Sequence, residues 1–206
     1  MNLPNKITLS RIFIVPIFML FVIPLPNTML ESGMLYFIRP QMLSINDFII
    51  HYGNYIAAVI FILAASTDGV DGYLARKKQM VTNLGKFLDP IADKLLVAAA
   101  LIALVQRNDI TGWAAMFILS REFAVTGLRL VAAGEGIVIS ASNLGKLKTI
   151  TQIVAIAATL LKNFPLNLIV PFPFDKYAML FAVIITLYSG YDYFARNFKV
   201  LKVKNN

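Results

Sequence analysis

Residues 66–94 read STDGVDGYLARKKQMVTNLGKFLDPIADK, and the fold turns on how this stretch is understood. Four of the eleven acidic residues of the chain fall here: Asp68, Asp71, Asp89 and Asp93. Apolar runs border the stretch at 49–67 and 88–105. Carboxylates near hydrocarbon are expensive, about 3 kcal/mol each at the centre of a membrane helix even on the mildest insertion scale, so a cluster of four needs cations. Asp68 and Asp71 are spaced i,i+3, and Asp89 and Asp93 i,i+4, so on helices each pair shares one face. Two packed helices can aim all four carboxylates at one point. Like charges that close repel, and divalent cations with oxygen ligands remove the conflict. Gly72 lets a ligand or a neighbouring backbone approach. Arg76, eight residues beyond Asp68 and on roughly the same face, can take a phosphate through two parallel hydrogen bonds. Pro90 is expected at the start of a helix, where its missing N–H matters least. Any one of these aspartates could be an interfacial residue paired with Arg76, Lys77, Lys78 or Lys86. The four together, with the glycines and Arg76, read as a metal site.

Outward from this stretch, apolar runs recur at 7–25, 49–67, 88–105, 111–133, 147–161 and 176–194. A helix that crosses a bilayer needs about 20 mostly apolar residues. The expected fold class is therefore all-α, a polytopic bundle of six transmembrane helices forming one domain over 1–206. The run at 7–25 has a basic start but no small-residue cleavage pattern, so it reads as a retained first span. Residues 26–48 are expected to form an outer loop lying partly on the membrane surface. With both termini inside, twelve Lys and Arg fall on the inner side and four on the outer. That bias predicts cytoplasmic termini and places 68–93 on the cytoplasmic side.

Composition agrees with a lipid-facing surface. Hydrophobic residues make up 58% and charged residues 15%, too few charges to coat a soluble fold. Cysteine is absent and His51 is the single histidine, which excludes thiolate chemistry, disulfides and any two-histidine metal site. The donors available are oxygens, which suit magnesium, manganese or calcium. The net charge of +8 is carried by residues that flank apolar runs. It reads as topology and contact with membrane lipids, with no nucleic acid as partner.

The pattern Asp68-x2-Asp71-Gly72-x2-Ala75-Arg76-x8-Gly85-x3-Asp89-x3-Asp93 resembles the signature of the CDP-alcohol phosphotransferase family at all eight defined positions. The six apolar runs extend the likeness over nearly the whole chain. The resemblance implies transfer of a phosphoalcohol group from a CDP-linked donor to an alcohol, with release of CMP. It implies that Asp68, Asp71, Asp89 and Asp93 hold divalent metal, Mg or Mn and two ions, with Asp93 also the catalytic base. Asp68, Gly72, Arg76 and Gly85 would contact the CDP part. It also suggests a homodimer, and the small residues Ala57, Ala58 and Ala98 to Ala100 permit close helix packing.

A second charged group lies further along the chain. Ser120, Arg121, Glu122 and Arg129 fall within the fourth run, and buried arginine in a span is usually functional. Arg121 and Arg129 are eight apart and can face one groove. A structural Arg121–Glu122 contact, or one from Arg129 to a lipid phosphate, is the plainer alternative. Gly145, Lys146 and Lys148 open the fifth run, and a glycine with two lysines at a helix N-terminus suits a phosphate. Arg121, Arg129, Lys146 and Lys148 are thus the candidate site for an acceptor that carries its own phosphate. REFAVTGLR at 121–129, GKLKT at 145–149 and the opening Asn5 to Arg11 resemble family members that use glycerol 3-phosphate. The expected reaction joins CDP-diacylglycerol and sn-glycerol 3-phosphate.

Family members that use inositol phosphate, serine or phosphatidylglycerol are the nearest alternative. An ion- or proton-coupled transporter is a more distant one, since it would spread its carboxylates through the bilayer. His51 and Trp113 read as interfacial residues, and Asp192 with Arg196 as an i,i+4 structural pair.

Overall fold

The structure, a computed structural model, describes residues 3–26, 37–78, 83–134, 136–137, 139 and 142–202. For 3–8, 11, 67–78, 83–91, 93 and 198–202 it describes backbone alone. The described residues form six α-helices and a short 3-10 turn. The chain divides into two compact units, Met1–Arg107 and Asn108–Asn206.

The first unit contains α1 (Leu3–Val22), α2 (Arg39–Lys78) and α3 (Asn83–Gln106). α1 packs on both α2 and α3, which also touch each other. The buried positions follow helical periodicity: Val15, Phe18 and Val22 on α1, and Ala57, Ala58, Phe61 and Ala64 on α2. Ala92, Leu96, Ala99, Ala100 and Ala103 make the matching stripe on α3. Phe18 and Phe61 meet with ring centroids 6.2 Å apart. Small side chains let the backbones approach, most closely at Gly53. A Cβ there would stand 2.2 Å from the Phe21 carbonyl oxygen. Polar groups tie the ends of the unit. The Leu25 N–H donates to Asn46 Oδ1 at 2.8 Å, and the Arg107 guanidinium donates to Asn54 Oδ1.

Two expectations need correction here. Residues 39–48, expected in the outer loop, belong to α2, which runs 40 residues without a break. Pro40 marks the start, since proline is favoured in the first turn of a helix, where its missing N–H matters least. Pro90 does not open its helix, because α3 begins at Asn83. It sits inside α3, where it lacks the N–H that would bond the carbonyl four residues back.

The second unit contains α4 (Gly112–Gly134), α5 (Asn143–Leu160), the 3-10 turn (Leu166–Leu168) and α6 (Phe174–Lys202). α6 packs against both α4 and α5. Its buried face is Met179, Ala182, Thr186, Ser189 and Tyr193, a 3-4-3-4 spacing that keeps one seam turned inward. α4 answers with Ile118, Arg121, Val125, Leu128 and Ala132 at the same spacing. The connection into α6 is held by a reciprocal pair. Asn163 Nδ2 donates to Asp175 Oδ1 and the Asp175 N–H to Asn163 Oδ1, both at 2.7 Å.

Both units expose large apolar side chains, and the second also buries polar ones. Large apolar side chains such as Phe13, Leu63, Phe123, Leu130, Phe181 and Tyr191 point outward. Gln152, Thr159, Thr186 and Ser189 are buried. An exposed apolar surface of this extent suits contact with lipid. Among the described residues, 39–66 of α2 and 174–197 of α6 are long and apolar enough to cross a bilayer. Shorter apolar helical segments occupy Ile12–Val22 and Lys94–Gln106.

Candidate catalytic centre and anion site

In the first unit, Asp68 and Asp71 lie on α2, and Asp89 and Asp93 on α3. The backbone is helical through all four positions, so the i,i+3 and i,i+4 spacings do place each pair on one helix face. Gly72 and Arg76 follow on α2, and Gly85 falls in the first turn of α3. The side chains of these seven residues lie outside the described residues. Among the described residues no group of three or more His, Asp or Glu could hold a metal. The chemistry of the donor set fits hard divalent cations. It consists of carboxylates on two adjoining helices of one unit, in a chain with no thiol and one histidine.

In the second unit, the four predicted anion-binding cations separate into two kinds. Arg121 and Lys148 are buried. Both meet one carboxylate: Lys148 Nζ donates to Glu122 Oε1, and Arg121 Nη1 lies 3.5 Å from the same oxygen. Arg121 Nη2 also donates to Ser189 Oγ on α6 at 2.9 Å. Gly190 makes room for this side chain, since a Cβ at 190 would stand 2.9 Å from Arg121 Cγ. Arg129 and Lys146 are exposed. Arg129 Nε donates to Tyr193 Oη at 2.8 Å, with its guanidinium carbon 5.3 Å from the ring centroid. Both arginines are therefore turned toward α6.

The start of α5 forms as its sequence suggests. Ser142 is the N-cap, its Oγ accepting from the Gly145 N–H at 3.0 Å, which sets Lys146 at the first turn. Between this cap and α6 lies a cleft of about 430 Å³ lined by Ser142, Asn143, Asp192, Tyr193, Arg196 and neighbours. The i,i+4 pair is present in its wall, with Arg196 Nε donating to Asp192 Oδ1 at 2.7 Å. Deeper between α5 and α6, Gln152 Nε2 donates to Thr186 Oγ1 at 2.8 Å, both side chains buried. His51 and Trp113 are exposed, as expected of interfacial residues.

Several members of this arrangement were not singled out from sequence. Glu122 was read from sequence only as a structural partner of Arg121, a contact that is present at 3.5 Å, and not as a partner of Lys148. Its bond to Lys148 spans 26 residues and exists only once α4 and α5 have both packed on α6. Ser189, Gly190 and Tyr193 sit on the small, polar side of α6, visible as a seam only once its spacing is matched to α4.

An all-helical, lipid-facing chain with an aspartate signature on two adjoining helices defines a class of membrane enzymes. A family profile described as CDP-alcohol phosphatidyltransferase matches residues 1–188, and the chain belongs to that family. It is 51% identical to a CDP-diacylglycerol–glycerol-3-phosphate 3-phosphatidyltransferase of Bacillus subtilis over 205 residues, 99% of each chain. It is 34% identical to the protein of the same description from Rickettsia bellii over 193 residues, 94% of this chain and 93% of that one. A probable phosphatidylglycerophosphate synthase of Mycobacterium tuberculosis is 37% identical over 201 residues, 95% of this chain and 81% of the relative.

Proposed function

We propose that this chain transfers the phosphatidyl group from CDP-diacylglycerol to sn-glycerol 3-phosphate, forming phosphatidylglycerophosphate and CMP. The observation that carries the reading is the 51% identity to the Bacillus subtilis enzyme across 99% of both chains. The eight signature positions and the phosphate-suited cations of α4 and α5 support it.

The reaction joins an acceptor hydroxyl oxygen to the phosphorus that bears diacylglycerol, and breaks the bond from that phosphorus to CMP. Bound divalent cations, Mg or Mn and two in number, supply charge neutralisation at the pyrophosphate. Asp68, Asp71, Asp89 and Asp93 hold them. Asp93 also takes the proton from the attacking hydroxyl as general base. Asp68, Gly72, Arg76 and Gly85 bind the CDP part, Arg76 through parallel hydrogen bonds to phosphate. Arg121, Arg129, Lys146 and Lys148 hold the phosphate of the acceptor. In this reading exposed Arg129 and Lys146 meet the phosphate first, and buried Arg121 and Lys148 lie behind them.

All six helices span the cell membrane in this reading, with both termini and the active site cytoplasmic. The excess of Lys and Arg on one side supports that orientation. The chain acts as one domain over 1–206, since the family profile runs through both units. It works as a homodimer, a proposal that rests on family resemblance. Small residues lend it little, because Ala57, Ala58, Ala99 and Ala100 are already buried within the first unit.

The test is an assay of purified protein in detergent with CDP-diacylglycerol, Mg or Mn, and labelled glycerol 3-phosphate. Metal-dependent release of CMP with labelled lipid is expected. Product with inositol phosphate, serine or phosphatidylglycerol, and none with glycerol 3-phosphate, would assign a different acceptor.

A further inference from the structure

Lysine carries its charge on a flexible stem of four carbons, so a lysine that must meet a ligand in one place needs a partner to hold it. Lys148 and Arg121 come from different helices, α5 and α4, and their side chains are 10% and 8% exposed. Two cations brought together away from water repel strongly. Glu122, 13% exposed, lies between them and offers the same oxygen, Oε1, to both. Its own backbone is fixed in turn, because Thr126 Oγ1 donates to the Glu122 carbonyl at 2.7 Å.

The two cations depend on Glu122 unequally. Arg121 has a second anchor in Ser189 Oγ, at 2.9 Å against 3.5 Å to the carboxylate. Gly190 leaves the guanidinium stem a fitted place. Lys148 makes the closer contact with Glu122.

We propose that Glu122 is a positioning residue for the phosphate-bearing acceptor, acting through Lys148. The carboxylate holds the Lys148 ammonium against Arg121, so that a pair of cations converges before any phosphate is bound. Pre-organisation of this kind strengthens binding by removing the ordering cost from the binding step. The inference rests on the proposed use of a phosphorylated acceptor and adds a residue to that site.

A double-mutant cycle tests it on the full-length protein in detergent. Glu122→Gln, Lys148→Met and the double variant are assayed for KM toward glycerol 3-phosphate, KM toward CDP-diacylglycerol, kcat and thermal unfolding. A positioning role predicts that Glu122→Gln raises the acceptor KM by about tenfold, the scale of one lost charge-assisted contact, and leaves the donor KM in place. Residues in contact are expected to be non-additive, so the double variant is no worse than Lys148→Met alone. A parallel cycle with Arg121→Met is expected to be closer to additive. Glu122→Asp keeps the charge and shortens the reach, and is expected to fall between wild type and Glu122→Gln. It also serves for the cycle if the glutamine variant does not fold. Additive effects of Glu122 and Lys148, or equal rises in both KM values, overturn the proposal. An acceptor panel on the wild type comes first. Turnover of inositol phosphate in place of glycerol 3-phosphate corrects the acceptor, and the cycle is then run with that acceptor.

Discussion

Gly190 on α6 and Arg121 on α4 are so close that a methyl group at 190 would stand 2.9 Å from Arg121 Cγ. The contact falls near the base of the arginine side chain, which cannot yield by swinging its far end. Glycine at 190 is thus a condition for the Arg121–Ser189 hydrogen bond.

Gly190→Ala is therefore expected to expel Arg121 from its place. The cost in stability is about 1–3 kcal/mol, as for other small-to-large changes in packed interiors. Ser189→Ala removes only the hydrogen bond and is expected to cost less. Thermal unfolding in detergent, together with the acceptor KM of both variants, checks the order. A larger effect for Ser189→Ala would show that the hydrogen bond, rather than the space, is what matters.

Gly53→Ala tests the first unit in the same way. The obstacle there is backbone, the Phe21 carbonyl oxygen at 2.2 Å, and backbone can move only with its helix. α1 must separate from α2, with an expected loss of about 1–3 kcal/mol or more. An unchanged unfolding temperature would mean that α1 and α2 do not approach as described.

The buried Gln152–Thr186 pair predicts a reversal. Gln152→Leu leaves the Thr186 hydroxyl without its partner, at a cost of about 1–3 kcal/mol. Adding Thr186→Val removes the orphaned group, and most of the loss is expected to return. Unfolding measurements on the two singles and the double would reveal a simple sum if the two side chains do not interact.

Removal of metal by a chelator is expected to abolish turnover, and Mg or Mn to restore it. Asp93→Asn is expected to lower kcat by about 10²- to 10⁴-fold, the usual weight of a general base. Asp68→Asn is expected to raise the metal concentration needed for half activity. Full activity of Asp93→Asn at saturating metal would remove the base assignment.

The helical framework was largely legible in the chain. The expected fourth run, 111–133, and the observed α4, Gly112–Gly134, differ by one residue at each end. Where boundaries shifted, polar residues were the cause. α2 begins in the sequence RPQMLSINDF, whose polar positions hid a helix that Pro40 marks at its first turn. The aspartate signature was legible because its information is local, held in spacings of three and four along a helix. The Glu122–Lys148 bond was not, because it exists only after α4 and α5 have each packed on α6. Arg121 shows both sides of this. Its presence in an apolar run flagged it, but Ser189 and Gly190, which define its surroundings, lie 68 and 69 residues away.

The unbroken length of α2 has a mechanical consequence. At about 1.5 Å per residue, forty residues make a rod of about 60 Å, roughly twice the hydrocarbon thickness. Asp68 and Asp71 ride on the same rod as the apolar residues 39–66, with no hinge between. The rod therefore works as a ruler. The depth of the aspartates is set by counting residues from the apolar segment, and so is their compass bearing. One residue inserted between 49 and 66 would lift them by about 1.5 Å and swing them by about 100°. A chain built in this way tolerates exchange of one apolar residue for another along α2 far better than it tolerates a change in their number.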